Sequence, residues 1–197
     1  MYGTLLNNRP SRKRDSNLNV AQFDQLELDM LVFYHTNQLR RSYNLNYLLT
    51  DNNLRKSALL HCTEMKEKSF FAHENPVTNR LKTPLQRIQV YSNYFIGVGE
   101  NLASIPLYKD NFITIRTHSI IGFPVRTERF IDTSKSHSYQ SMAVAAVNGW
   151  LNSPPHRKIM LSPSFTHLGC GSIITIKECD GLRIPYLLLT QNYGYIH

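Results

Sequence analysis

Apolar residues recur every three or four positions from Phe23 onward, through Leu26, Met30 and Phe33. That is the spacing of one helix face, and it predicts a helix over about residues 22–42. The same spacing in Leu54, Ala58, Cys62 and Met65 predicts a second helix from Asn52 to about Lys68. Thr83-Pro84-Leu85-Gln86 reads as a sharp helix start. Thr83 can cap, Pro84 suits the first helical position, and Gln86 can reach back to close a capping box. A fourth helix, from about Tyr139 to Leu151, carries Met142, Ala146 and the core anchor Trp150 on its buried side. It stops at Ser153-Pro154-Pro155, because proline cannot continue the helical ladder.

Near the end of the chain the period changes to two. Leu168, Cys170, Ser172, Ile174 and Ile176 alternate with Gly169, Gly171, Ile173 and Thr175. The turn residues Glu178-Cys179-Asp180-Gly181 follow, and Arg183 to Gln191 reads as the returning strand of a hairpin. Weaker strands are expected near residues 96–102 and 112–121. Helices on both faces of a small antiparallel sheet bury these faces economically. The expected class is therefore α+β, a three-layer α-β-α sandwich.

Composition narrows the picture. A length of 197 residues suits one domain, and 42% hydrophobic content is enough for a core. No apolar run approaches the roughly 18 residues of a membrane helix. Arg9, Arg12, Lys13 and Arg14 lie in a polar stretch without periodicity. Residues 1–20 are thus expected as a basic disordered arm, and 21–197 as one domain with an inserted segment at about 104–137. That insert is read as a hairpin or lid beside a cleft, or as a plain surface excursion. The net charge of +8 is otherwise dispersed, with no RNP, zinc-finger or helix-turn-helix pattern. This argues against specific nucleic-acid recognition and favours contact with anionic surfaces, such as phospholipid or envelope polymer. Three cysteines leave at least one thiol free, and Cys170 and Cys179 are candidates for a bridge. No secretory leader is visible in residues 1–20, which hold four cations and no apolar stretch.

Three polar residues stand where polar residues need a reason. His73 ends Phe70-Phe71-Ala72-His73, Glu100 sits within Gly97-Val98-Gly99-Glu100-Asn101-Leu102, and His156 follows the double proline. Two imidazoles and a carboxylate suit zinc with an open position, or a general base and acid pair. Equally, each could be a satisfied structural group, since buried polar residues often are. Hydrolase signatures fail: His73-Glu74-Asn75-Pro76-Val77 lacks a second histidine, and there is no G-x-S-x-G elbow. His61 and Cys62 are neighbours on a helix and point to different sides, which argues against a Cys-His dyad.

The succession Phe71-Ala72-His73, Gly99-Glu100-Asn101-Leu102-Ala103, Trp150-Leu151-Asn152-Ser153-Pro154-Pro155-His156-Arg157 and Leu168-Gly169-Cys170-Gly171 resembles the CAP superfamily. That superfamily comprises cysteine-rich secretory proteins, antigen 5 and pathogenesis-related 1 proteins, and its unit is also called the SCP domain. The likeness spans about residues 30–194 and is nearest the bacterial-type branch. It implies the α-β-α sandwich again. It implies that His73 and His156 face a central cleft and can hold zinc, and that Glu100 supports or joins that site. Asn101 and Ser153 would support the cleft. Many members carry a glutamate where Ser153 stands here, so the full tetrad is absent. The resemblance further implies an extracellular or cell-envelope setting.

The leading expectation is a binding module whose cleft takes a divalent metal and a small or extended ligand, such as a lipid, sterol or envelope component. One alternative is a zinc-dependent, peptidase-like hydrolase with Glu100 as catalytic base. The other is a protein-interaction module with a vestigial cleft. Arg157 is expected at the surface, and Tyr186 and Tyr193 in packing.

Overall fold

The computed structural model describes residues 13–110, 112–120 and 123–196. Helix α1 runs Gln25–Ser42, with the Asp24 side chain accepting from the Glu27 N–H. It starts three residues later than its apolar period suggests, because Val20–Gln22 form a separate 3-10 turn. Helix α2 is Asn52–Glu67, capped by Asp51. Helix α3 is Pro84–Gln89 and carries the expected Thr83–Gln86 capping box. Helix α4 is Tyr139–Asn152, with a second box between Ser138 and Ser141. It ends at Ser153 as expected, but a further helix, α5, runs Pro154–Met160 from the same residue. Proline breaks a helix interior yet suits a first turn, whose N–H groups have no partner to lose.

The strands are β1 (Leu49–Thr50), β2 (Gly97–Pro106), β3 (Ile113–Ile120), β4 (Phe123–Ile131), β5 (His167–Cys179) and β6 (Leu182–Tyr195). The main sheet has the order β1-β5-β6-β2, antiparallel except for the short β1–β5 pair. Asp180 and Gly181 close the β5–β6 hairpin with φ of 50° and 77°, the pair of positive angles that a tight type I′ turn requires.

The alternation along the strands sorts the sandwich. Leu168, Cys170, Ile174, Leu187, Leu189 and Tyr193 face α1 and α4 in the main core with Leu28, Val32, Met142 and Trp150. Ile173, Leu188 and Leu102 face the other way, against Cys62 and Met65 of α2. Helix α2 lies directly on β5, since a Cβ on Gly169 would meet the Arg55 nitrogen at 2.1 Å. Helices thus cover both faces, the three-layer α-β-α arrangement.

Three expectations need correction. Cys170 and Cys179 are not bridged; both lie on β5, nine residues or roughly 30 Å of extended strand apart. Cys170 is buried and Cys179 exposed. Residues 13–20, the described part of the expected arm, are mostly exposed but tethered to the domain. Leu18 is 5% exposed within the main core, and its N–H donates to the His137 carbonyl at 2.7 Å. Residues 1–12 lie outside the described set. The inserted segment does form a hairpin, β3–β4, with a register shift at His118/Ser119. It does not stand beside the cleft. Its base is at Leu107, which bonds Pro185, and Arg129 pairs with Asp180 at 3.2 Å. This end of β2 is six residues, roughly 20 Å, from Glu100.

Candidate functional site

His73, Glu100 and His156 meet at the outer edge of β2. The strand is at the end of the sheet, so groups from both helical layers can reach past it. Glu100 points to the α2/α3 side and its neighbour Asn101 to the α4/α5 side. His73 comes from the segment following α2, and His156 from the first turn of α5. The Trp150 indole N–H donates to the Leu102 carbonyl at 2.9 Å and so holds the end of α4, and hence α5, against β2. Asn101 Nδ2 donates to the His156 carbonyl at 3.2 Å. Ser153 positions α5 through its backbone, its carbonyl accepting from the Arg157 N–H at 2.8 Å.

Glu100 is the hub, with its side chain 1% exposed. Arg87 of α3 donates to Oε2 at 2.6 Å, and His73 Nδ1 lies 2.9 Å from Oε1. A carboxylate only accepts, so Nδ1 carries the proton and His73 leaves Nε2 free to bind. Asn192 of β6 faces the carboxylate on one side and the Ser57 hydroxyl and Ala58 N–H on the other. Its amide is satisfied with the nitrogen donating to Oε2 at 3.2 Å.

Arg87 also fixes the loop that carries His73. Its guanidinium donates to the carbonyls of His73, Leu81 and Lys82 at 2.9–3.0 Å. His61 of α2 adds a second anchor, its Nε2 donating to the Ala72 carbonyl at 2.9 Å. Burial pulls the His61 pKa down to about 4, so its ring is neutral at pH 7. Asn75 completes the loop, donating to Glu64 and accepting from the Val77 and Thr78 N–H groups.

The His73 and His156 rings are 6.4 Å apart at 50°. His73 is half exposed, while burial and then the His73 charge lower the His156 pKa. Two imidazoles therefore face one another at the surface, over a fully enclosed carboxylate. Among the described residues, no three His, Cys, Asp or Glu side chains form a metal-holding group. Both Glu100 oxygens are engaged, by Arg87 and His73, which leaves the imidazole pair.

Arg87, His61 and Asn192 belong to this arrangement although the sequence reading gave them no part in it. His61 had a signal, since Leu54, Ala58, His61 and Met65 share one helical stripe and a histidine there is buried. Arg87, on a six-residue helix, had none. Cys62 lies away from the cleft, its thiol bonded to Gly171 O and Thr190 Oγ1 at 3.2 Å each.

Comparison with known proteins agrees with this architecture. Residues 33–193 match the CAP family, described as the cysteine-rich secretory protein family. YkwD of Bacillus subtilis is 26% identical over 138 residues, 70% of this chain and 39% of that protein. YlbC of the same organism is 29% identical over 136 residues, 69% of this chain and 29% of that protein. The chain therefore spans less than two fifths of the length of these curated relatives. An extracellular SCP-domain protein from Bacillus anthracis superposes with a TM-score of 0.56 at 24% identity, covering 87% of this chain and 41% of that one. An outer surface protein of Borrelia burgdorferi gives 0.56 at 21% identity, covering 89% and 97%. With the family match running over most of the sandwich and both histidines inside it, this chain belongs to the CAP family of cysteine-rich secretory proteins.

Proposed function

We propose that the protein is a binding module, working outside the cell or at the envelope, whose cleft presents His73 and His156 to a divalent metal and a small or extended ligand. One observation carries this reading: the Arg87–Glu100–His73 chain, with contacts of 2.6 and 2.9 Å, holds the His73 ring by its Nδ1, 6.4 Å from the His156 ring. A carboxylate on the far nitrogen is the usual way a metal-binding histidine is oriented and made more basic. The donor set fits zinc through its imidazoles, with the remaining positions left to water or ligand. Zinc there would lower the pKa of a bound water and polarise a carbonyl. The setting is supported by the extracellular and outer-surface proteins that share the fold.

The same geometry weighs against the hydrolase alternative. A general base needs an accessible lone pair, and Glu100 is enclosed with one oxygen on Arg87 and the other on His73. Its part is to position His73.

Calorimetric titration of zinc into chelator-stripped protein tests the reading, with His73→Ala/His156→Ala alongside. The expected result is about one equivalent bound, lost in the double variant. Binding that the variant retains, or none in the parent, refutes the metal cleft.

A further inference from the structure

A second pocket, independent of the cleft, lies on the other side of α5. It is a shallow, largely open depression of about 610 Å³. Tyr43, Leu161 and Pro163 supply apolar walls, and Arg157 and Lys158 line it from α5. No acidic residue lines it. Arg157 lies about 100° round the helix from His156 and turns away from the cleft.

Two features give this pocket its sign. Neither the Arg157 guanidinium nor the Lys158 ammonium is bonded to another side chain among the described residues, so both heads are open to an incoming anion. Beneath them Arg40, 0% exposed, donates to the carbonyls of Asn46, Met160 and Ser162 at 2.8–3.1 Å. Arg40 thus pins the loops that follow α1 and α5, from which Tyr43, Leu161 and Pro163 project. No carboxylate lies against Arg40 among the described residues, so a buried positive charge remains under the pocket floor. Buried charge is poorly screened and adds to the field of the two heads above it.

We propose that this pocket binds an organic phosphate ester. The phosphate, carrying close to two negative charges at pH 7, is held between Arg157 and Lys158, and its organic part lies against Tyr43, Leu161 and Pro163. A dianion matches two cations, and guanidinium with ammonium is the common pairing for phosphate. The apolar walls favour an ester over the inorganic ion.

The test uses the full chain with two probes, soluble glycerol 3-phosphate and vesicles of phosphatidylcholine with or without phosphatidic acid. Calorimetry and vesicle co-sedimentation are run on the parent, Arg157→Gln/Lys158→Gln, and the charge-matched control Lys66→Gln/Lys68→Gln. The exposed, unbonded heads of Arg157 and Lys158 can be neutralised without unfolding, checked by an unchanged thermal melt. We expect saturable binding of at least one probe, weakened about tenfold or more in the pocket variant and unchanged in the control. Binding of glycerol 3-phosphate identifies a soluble ester. Binding only to phosphatidic acid vesicles identifies a lipid headgroup. Equal losses in both variants, equal binding to neutral vesicles, or no binding of either probe overturns the assignment.

Discussion

Replacing Arg87 with methionine should unfasten the cleft at one point. The substitution keeps an unbranched apolar stem and deletes the guanidinium. Four acceptors lose their donor: Glu100 Oε2 and the carbonyls of His73, Leu81 and Lys82. They do not count equally. His73 and Lys82 are exposed residues, so water can reach that loop and replace part of the loss. Glu100, at 1% exposure, has no such recourse and becomes a buried carboxylate without a counter-ion. Orphaning one partner of a buried pair costs about 3–5 kcal/mol. For a chain of this size that is a fall in Tm of about 6–20 °C. Calorimetric melting of the parent, Arg87→Met and Arg87→Met/Glu100→Gln decides the matter. If the orphaned charge dominates, removing it in the double variant recovers about half the loss or more. A loss under about 1 kcal/mol would refute the structural part given to Arg87. A full loss with no recovery would place it in loop packing and not in charge.

Two buried titratable groups should tilt the pH–stability curve in opposite directions. Burial raises Asp29 from 3.8 to about 7 despite bonds from Ser172 and Gln25. A folded pKa above the unfolded value means stability present in acid and lost as pH rises through about 7, so Asp29→Asn should remove a decline between about pH 4 and 7. His61 is depressed to about 4, so its contribution is present above pH 6.5 and lost as pH falls toward 4; His61→Gln should remove that acid-side loss. Melting curves across pH 4–8, read as differences from the parent, check both signs. Glycine substitutions give a sharper contrast. Gly169→Ala puts a Cβ on α2 backbone at 2.1–2.3 Å and should cost about 1–3 kcal/mol or more, whereas Gly149→Ala on α4, with nothing within 4 Å, should stabilise by about 0.5–1 kcal/mol in chemical denaturation.

The elements were legible in the sequence because their signals are local. Helical spacing placed α1, α2 and α4, and Thr83-Pro84-Leu85-Gln86 gave the start of α3 with its capping box. The period-two run with Asp180-Gly181 gave the β5–β6 hairpin, and the resemblance pointed to His73, Glu100 and His156. The start of α5 is equally local, since a double proline suits the first turn of one helix as well as the end of another.

What only the tertiary structure decided is how separated groups close on one another. Whether Glu100 is a base or an orienting carboxylate depends on Arg87, thirteen residues away on α3, and on Asn192 from the neighbouring strand. Neither distance is written in any period. The inserted hairpin leaves the sheet from the far end of β2, beside the β5–β6 turn, where Arg129 meets Asp180. The fate of Cys170 and Cys179 followed from the length of β5, which outran the run that predicted it. Periodicity reports which face of an element is buried, because each side chain meets the same solvent boundary. It carries nothing about which polar partners share that interior, because those pairings are fixed by chain closure in three dimensions.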